Sequence, residues 1–317
     1  MASKPLVVLT NCDLFYKRLS QIADVAVYHD TKQAPRDWVL KNLHDAVAVY
    51  GKGPLKIDSE LLDHGPNLKY VVTISVGYEN IDVEECKKRN IRVGYAGGLL
   101  AEVTSETALT LLLTTSRRIP EALEAAKSGN WSKEWSPFWM CGKALTKSTV
   151  GILGLGRIGD AVAKKTESFS PSRIIYHNRN KRSDVKYDYV SFEELLKQSD
   201  FLIISLSTGP ETNGLIDEKA FKLMKNDSII VNVARGKVIK TDDLYQALKD
   251  GQIGAAGLDV TDPEPLPPEH PLYTLKNCVI FPHIGSANYL TRNAMLRLGE
   301  QNVIDALDGR EMSSPLI

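Results

Sequence analysis

The sequence predicts an α/β fold of two domains, each built on a parallel β-sheet. Three observations carry that prediction. Short β-branched runs alternate with amphipathic segments, the alternation stops at a long apolar helical stretch and restarts beyond it, and a glycine-spaced turn opens the second series. The 317 residues suffice for two ordinary cores, and 43% hydrophobic with 25% charged residues is a globular composition.

In the first series PLVVLT (5–10), VAVY (25–28), AVAVYG (46–51), KYVVTIS (69–75) and IRVGY (91–95) read as strands. Helices are expected between them around 13–20, 35–44, 58–64 and 79–89, the rhythm of parallel βαβ units. A long helix begins near Glu102 and runs through TALTLLLTTSRR; its apolar middle implies burial, and Pro120 imposes a break or kink. Trp131, Trp135 and Trp139 then recur every four residues like a buried helical stripe, but Ser136-Pro137 argues for an irregular loop. The second series is TVGIL (149–153), RIIYH (173–177), FLIISLS (201–207), SIIVNVA (228–234), AAGLDV (255–260) and VIFP (279–282). A final helix around 290–309 follows it and could cross back to the first domain.

Thirty-nine Lys plus Arg balance thirty-nine Asp plus Glu, which leaves no global field to attract nucleic acid or an anionic membrane. Basic clusters therefore have to be read locally. Cys12, Cys86, Cys141 and Cys278 are scattered, with neither a CxxC pair nor metal-ligand spacing, so no metal is expected and a reducing compartment fits. MASKPLVVLT is too short an apolar run for a signal peptide, no run of about 18 apolar residues occurs, and SPLI is not an SKL-type address. A soluble cytoplasmic protein is the expectation.

The second series opens with VGILGLGRIGDAVAKK, where Gly154, Gly156 and Gly159 fit GxGxxG between a strand and a helix. That context identifies a dinucleotide-binding turn. Gly154 would permit the tight turn, Gly156 the approach of backbone to pyrophosphate, and Gly159 close packing of helix on strand. Arg157 and Ile158 lie in the same turn, whose helix N-terminus offers N–H groups to phosphate. Folds of this type usually carry an acid roughly 20 residues on, facing the adenosine ribose. Here the strand ends His177-Asn178-Arg179, followed by Asn180, Lys181 and Arg182. A carboxylate would repel a 2′-phosphate, whereas Arg179 with Lys181 or Arg182 could pair with one, so NADP(H) is expected in preference to NAD(H). The alternative is a solvated basic turn.

Three further segments each follow a predicted strand: NVARGK with Arg235, GLDVTDPEPLPPEHPL with Glu264, and FPHIGSAN with His283. A guanidinium can hold a carboxylate by two parallel bonds, a histidine can exchange a proton near neutral pH, and a carboxylate can orient that histidine. Together they are the parts for reducing a 2-oxo acid. Singly, Arg235 could be a surface cation, Glu264 one acid among Asp262 and Glu269, and His283 a satisfied histidine at a strand end.

The ordered set SVGYENID, GLGRIG, NVARG, GLDVTDPEPL and FPHIGS resembles the D-isomer-specific 2-hydroxyacid dehydrogenases over nearly the whole chain. KKRNIRVGY, LLLTTSRRIPEA, LTKSTVGILGLGRIG, DDLYQALKDGQI and LKNCVIFPHIGSA are most similar to the animal-type glyoxylate and hydroxypyruvate reductases of that family. The resemblance implies two Rossmann-like or flavodoxin-like domains: a discontinuous substrate domain, 1–101 and 287–317, around an NADP(H)-binding Rossmann domain at 102–286. It implies that Arg235, Glu264 and His283 are catalytic, that Val76 and Gly77 present backbone groups to the substrate carboxylate, and that Ser286 lies beside His283. Asp259 is implied at the nicotinamide end, with Ser207, Val233 and Gly285 also at the cofactor. A homodimer is implied, with Trp135 either reaching the partner's active site or packing the interface. The reaction implied is NADPH-dependent reduction of glyoxylate and hydroxypyruvate. The alternatives are a reductase of another 2-oxo acid, such as 3-phosphohydroxypyruvate, or a dinucleotide-sensing binding protein like the co-repressors of the same superfamily.

Overall fold

A computed structural model describes residues 3–317. The chain divides into two compact units, one reaching to Leu100 and taking in Ala287–Ile317, the other Ala101–Ser286.

In the first unit β1 (Leu6–Leu9), β2 (Asp24–Val27), β3 (Ala46–Gly51), β4 (Tyr70–Thr73) and β5 (Arg92–Gly94) form a parallel sheet in the order β2-β1-β3-β4-β5. Successive strand residues point to opposite faces, and both faces are covered. Val8, Val49 and Val71 pack on one side with Leu61 and Leu62, whereas Val7, Tyr50 and Val72 pack on the other with Val303 and Ile304. Helices α1 (Arg36–Asn42), α2 (Ser59–Asp63) and α3 (Val83–Lys88) connect the strands, α2 and α3 being capped by the Asp58 and Asp82 carboxylates on the N–H groups of Leu61 and Glu85. The last helix of the chain, α11 (Tyr289–Leu307), belongs to this unit; a Cβ on Gly299 would stand 2.6 Å from Ile74 Cγ2, so only glycine permits this approach. The C-terminal residues close the β5 edge, with Leu316 N–H donating to Val93 O at 2.7 Å.

The helix expected over 13–20 does not form; a short 3-10 turn, Leu19–Gln21, stands there. The N–H groups of Arg18 and Leu19 donate instead to Glu300 Oε1 of α11, at 2.8 and 3.2 Å. A carboxylate from the far end of the chain thus replaces the acceptors that a helix would have supplied.

The second unit begins with α4 (Ala101–Ser116), α5 (Ile119–Ser128) and α6 (Trp131–Glu134). Pro120 produces a break rather than a kink: Arg118 turns to φ 53° and α5 starts anew with the proline in its first turn. The aromatic segment is one helical turn followed by irregular chain, and Trp131, Trp135 and Phe138 are exposed rather than forming a buried stripe. Beyond it come β6 (Thr149–Leu153), α7 (Arg157–Thr166), β7 (Arg173–His177), β8 (Asp188–Tyr189), α8 (Phe192–Gln198), β9 (Phe201–Ile204), α9 (Glu218–Leu223), β10 (Ile229–Asn232), α10 (Thr241–Lys249), β11 (Ala255–Leu258) and β12 (Cys278–Ile280). The seven strands are parallel, in the order β12-β11-β10-β9-β6-β7-β8. Strand β9 shows why such runs read as continuously apolar. Phe201 and Ile203 face one core, Leu202 and Ile204 the other, and each side chain so buried contributes about 1.5–3 kcal/mol. The order reverses at β6, between β7 and β9, and that crevice is where an open α/β sheet collects its ligand. Among the described residues no helix is long and apolar enough to cross a membrane.

Candidate active site

The glycine turn lies at this reversal, between β6 and α7, and its three glycines have three distinct reasons. Gly154 adopts φ 98°, and a Cβ there would stand 2.3 Å from Leu206 Cα. A Cβ on Gly159 would meet Gly154 O at 2.3 Å, so α7 packs directly on the turn. A Cβ on Gly156 would meet nothing within 4 Å; the protein itself makes no demand for glycine there, and the open space is what the backbone approach of a dinucleotide would need. Arg157 and Ile158 open α7, whose first N–H groups have no intrahelical acceptor and carry the positive end of the helix dipole. The residues present fit a dinucleotide.

At the end of β7 the Asn178 amide braces this turn: Oδ1 accepts the Leu155 N–H at 2.5 Å and Nδ2 donates to Leu155 O at 3.3 Å. Arg182 donates to the same carbonyl at 3.2 Å and pairs with Asp184 through two bonds of 2.9 and 2.5 Å. Arg179 forms an ion pair with Glu211, a residue that sequence reasoning did not single out. Asn180 and Lys181 are exposed. Ser207 is exposed beyond β9, whereas the Val233 side chain is buried in the core.

The loops after β10, β11 and β12 bring the three expected chemical residues into one unit. Asn232 shapes the first: its Oδ1 accepts Ala234 N–H at 3.0 Å and its Nδ2 donates to Arg235 O at 2.9 Å. Arg235 is extended and half-buried, with Nη1 donating to Ala234 O at 2.7 Å. The next residue has to be glycine, because a Cβ on Gly236 would stand 1.9 Å from Thr261 O of the neighbouring loop. On that loop Glu264 Oε2 accepts Thr261 N–H at 3.3 Å, and its Oε1 lies 2.5 Å from His283 Nδ1.

His283 is held in the left-handed region at φ 52°, an uncommon place for a residue with a Cβ. Asp259 maintains it. The Asp259 main-chain oxygen accepts His283 N–H at 3.0 Å, and its two carboxylate oxygens accept the N–H groups of Ile284 and Gly285 at 2.8 and 2.9 Å. The carboxylate expected at the nicotinamide end is therefore already engaged in fixing the histidine loop. Burial raises the Asp259 carboxyl above its ordinary range, against these two bonds. Thr104 on α4 donates to Gly285 O at 3.3 Å, and Ser286 is half-buried at the end of the loop.

The hydrogen bond to Glu264 raises the pKa of His283 above the ordinary histidine value, against burial and the nearby Arg235 charge. Burial acts to raise the Glu264 carboxyl, but the His283 bond and charge, Thr261 N–H and Arg235 outweigh it and leave the group below the usual carboxylate range. An ionised Glu264 thus fixes the proton on Nδ1 and leaves Nε2 to exchange a proton with a ligand. Val76 and Gly77 belong to the other unit, where they are half-buried just beyond the carboxyl end of β4.

The sequence profile described as "D-isomer specific 2-hydroxyacid dehydrogenase, NAD binding domain" matches residues 109–285. A mouse protein named glyoxylate reductase/hydroxypyruvate reductase is 47% identical over 305 residues, spanning 94% of this chain and 93% of its own. The crystal structure of a Sinorhizobium meliloti NADPH-dependent glyoxylate/hydroxypyruvate reductase with NADP and malonate is similar at TM-score 0.88 and 30% identity, over 99% of this chain and 97% of that one. That of Aquifex aeolicus D-lactate dehydrogenase with NAD and lactic acid is similar at TM-score 0.86 and 27% identity, over 96% of each. With a turn built for a dinucleotide and a relative matched almost end to end, the chain belongs to the D-isomer-specific 2-hydroxyacid dehydrogenases.

Proposed function

We propose that this protein reduces small 2-oxo acids with NADPH, converting glyoxylate to glycolate and hydroxypyruvate to D-glycerate. The observation that carries the reading is the Glu264–His283 contact of 2.5 Å beside Arg235, within the unit that holds the glycine turn. A bound nicotinamide cofactor supplies the hydride that C2 of the substrate accepts. His283, kept protonated by Glu264, gives the Nε2 proton to the carbonyl oxygen as it becomes a hydroxyl. Arg235 holds the substrate carboxylate by parallel charge-assisted bonds, and Ser286 stands beside the histidine.

The preference for NADPH is read from the end of β7, where no acid stands and Arg179, Lys181 and Arg182 cluster. A homodimer is supported by the exposed apolar surface of Ile119, Leu123, Trp131, Trp135 and Phe138, with Trp135 as the candidate to approach a partner's site. Four free cysteines fit a cytoplasmic setting. The test is a matrix of kcat/KM values: glyoxylate, hydroxypyruvate, pyruvate and phenylpyruvate, each with NADPH and NADH. The two small acids with NADPH should lead; dominance by a bulkier acid, or no turnover with any, would overturn the reading.

A further inference from the structure

Strands β7 and β9 flank β6, so the loops leaving their carboxyl ends border the same crevice as the glycine turn. Arg179 comes from one and Glu211 from the other, and their ion pair bridges the two loops. Glu211 sits on the short turn Pro210–Thr212, which Thr212 closes by accepting Gly209 N–H at 3.0 Å and donating to Gly209 O at 2.8 Å. Its carboxylate folds back over that turn: a Cβ on Gly209 would stand 2.5 Å from Glu211 Oε2. The side chains are 77% and 56% exposed, so the pair is weak enough for a bound ligand to exchange it.

We propose that Glu211 is a positioning residue for cofactor choice, holding Arg179 while no 2′-phosphate is present and yielding it when one binds. This rests on the reading of Arg179 as the 2′-phosphate ligand. The phosphate carries a charge of about −1.5 to −2 and outcompetes a single carboxylate for the guanidinium. Each binding event nevertheless breaks the Arg179–Glu211 pair and brings phosphate near a like charge. Glu211 therefore lowers the discrimination between the two cofactors. With NADH no exchange is needed, and the carboxylate remains available to accept a free ribose hydroxyl.

The test is calorimetric titration of adenosine 2′,5′-bisphosphate and of ADP into the wild-type protein, Glu211→Gln, Arg179→Ala and the double variant, at low and high salt. Glu211→Gln should bind the bisphosphate more tightly by up to about fivefold, the upper end of what a surface ion pair contributes, with ADP binding unchanged or slightly weaker. The gain should shrink at high salt and be smaller in the Arg179→Ala background. Unchanged or weaker bisphosphate binding, or an equal gain without Arg179, would overturn the role of Glu211. The two readings fail separately. Wild-type indifference to the 2′-phosphate would remove the NADPH preference, and discrimination that then emerged in Glu211→Gln would still uphold Glu211.

Discussion

Glu264 Oε1 lies 2.5 Å from His283 Nδ1, and the charge of Arg235 acts on both partners, lowering the pKa of each. The pair gives the site a pH dependence of definite sign. In the proposed reaction reduction consumes the proton on His283, so turnover should fall as pH rises through the imidazole pKa, which Glu264 raises. Glu264→Gln removes that charge, and the basic limb of the reductive pH profile should move to lower pH. Movement to higher pH in initial-rate profiles would contradict the pairing. The same raised pKa stabilises the fold below the ordinary histidine value of about 6.5, and this contribution is lost as pH climbs through the folded value. With side-chain exposures of 48% and 38% the contribution is screened and small.

Arg235→Lys tests bidentate recognition. Lysine keeps the charge but not the planar fork. Losing one charge-assisted bond worth about 1.5–3 kcal/mol should lower kcat/KM for glyoxylate by roughly 10- to 150-fold. NADPH affinity measured by fluorescence titration should stay within about twofold. A comparable loss in cofactor affinity would place Arg235 elsewhere.

Gly156→Ala and Gly159→Ala should fail in opposite ways. The first has open space for its Cβ and should unfold near the wild-type temperature while losing tenfold or more in dinucleotide affinity, because the methyl group occupies ligand space. The second drives a Cβ onto Gly154 O at 2.3 Å and should cost about 1–3 kcal/mol of stability. Paired thermal melts and cofactor titrations check both; identical behaviour would remove the distinction.

Asn178→Ala separates a brace from a selector. The substitution removes the amide that accepts the Leu155 N–H and donates to Leu155 O, without adding charge, and should disturb the glycine turn. Binding of NADH and NADPH should weaken together. Loss confined to NADPH would show that Asn178 acts on the 2′-phosphate instead.

Much of this was legible in the chain because the fold is built from local signals. SIIVNVA and FLIISLS announce strands buried on both faces, and the spacing of Gly154, Gly156 and Gly159 fixes turn, ligand approach and packing within six residues. Arg235, Glu264 and His283 stood out because each follows a strand, and parallel strands deliver their loops to one edge. What escaped notice depended on distant partners. The 13–20 segment carries helix-like spacing, yet Glu300, 282 positions beyond Arg18, takes its N–H groups. Arg179 and Glu211 lie 32 positions apart and meet only because β7 and β9 both neighbour β6. The strand order held the available clue to that meeting, and no spacing rule expresses it.

On the proposed reading His283 protonates a 2-oxo acid while a nicotinamide reduces it. Single-turnover mixing of NADPH-loaded protein with hydroxypyruvate, followed by nicotinamide absorbance, tests this most directly when wild type and His283→Ala are compared. Wild type should oxidise the cofactor rapidly and yield D-glycerate, and the variant should react about 10²–10⁴-fold more slowly at unchanged NADPH affinity. Oxidation at a near-wild-type rate without His283, or none in the unmodified protein, would contradict that reading.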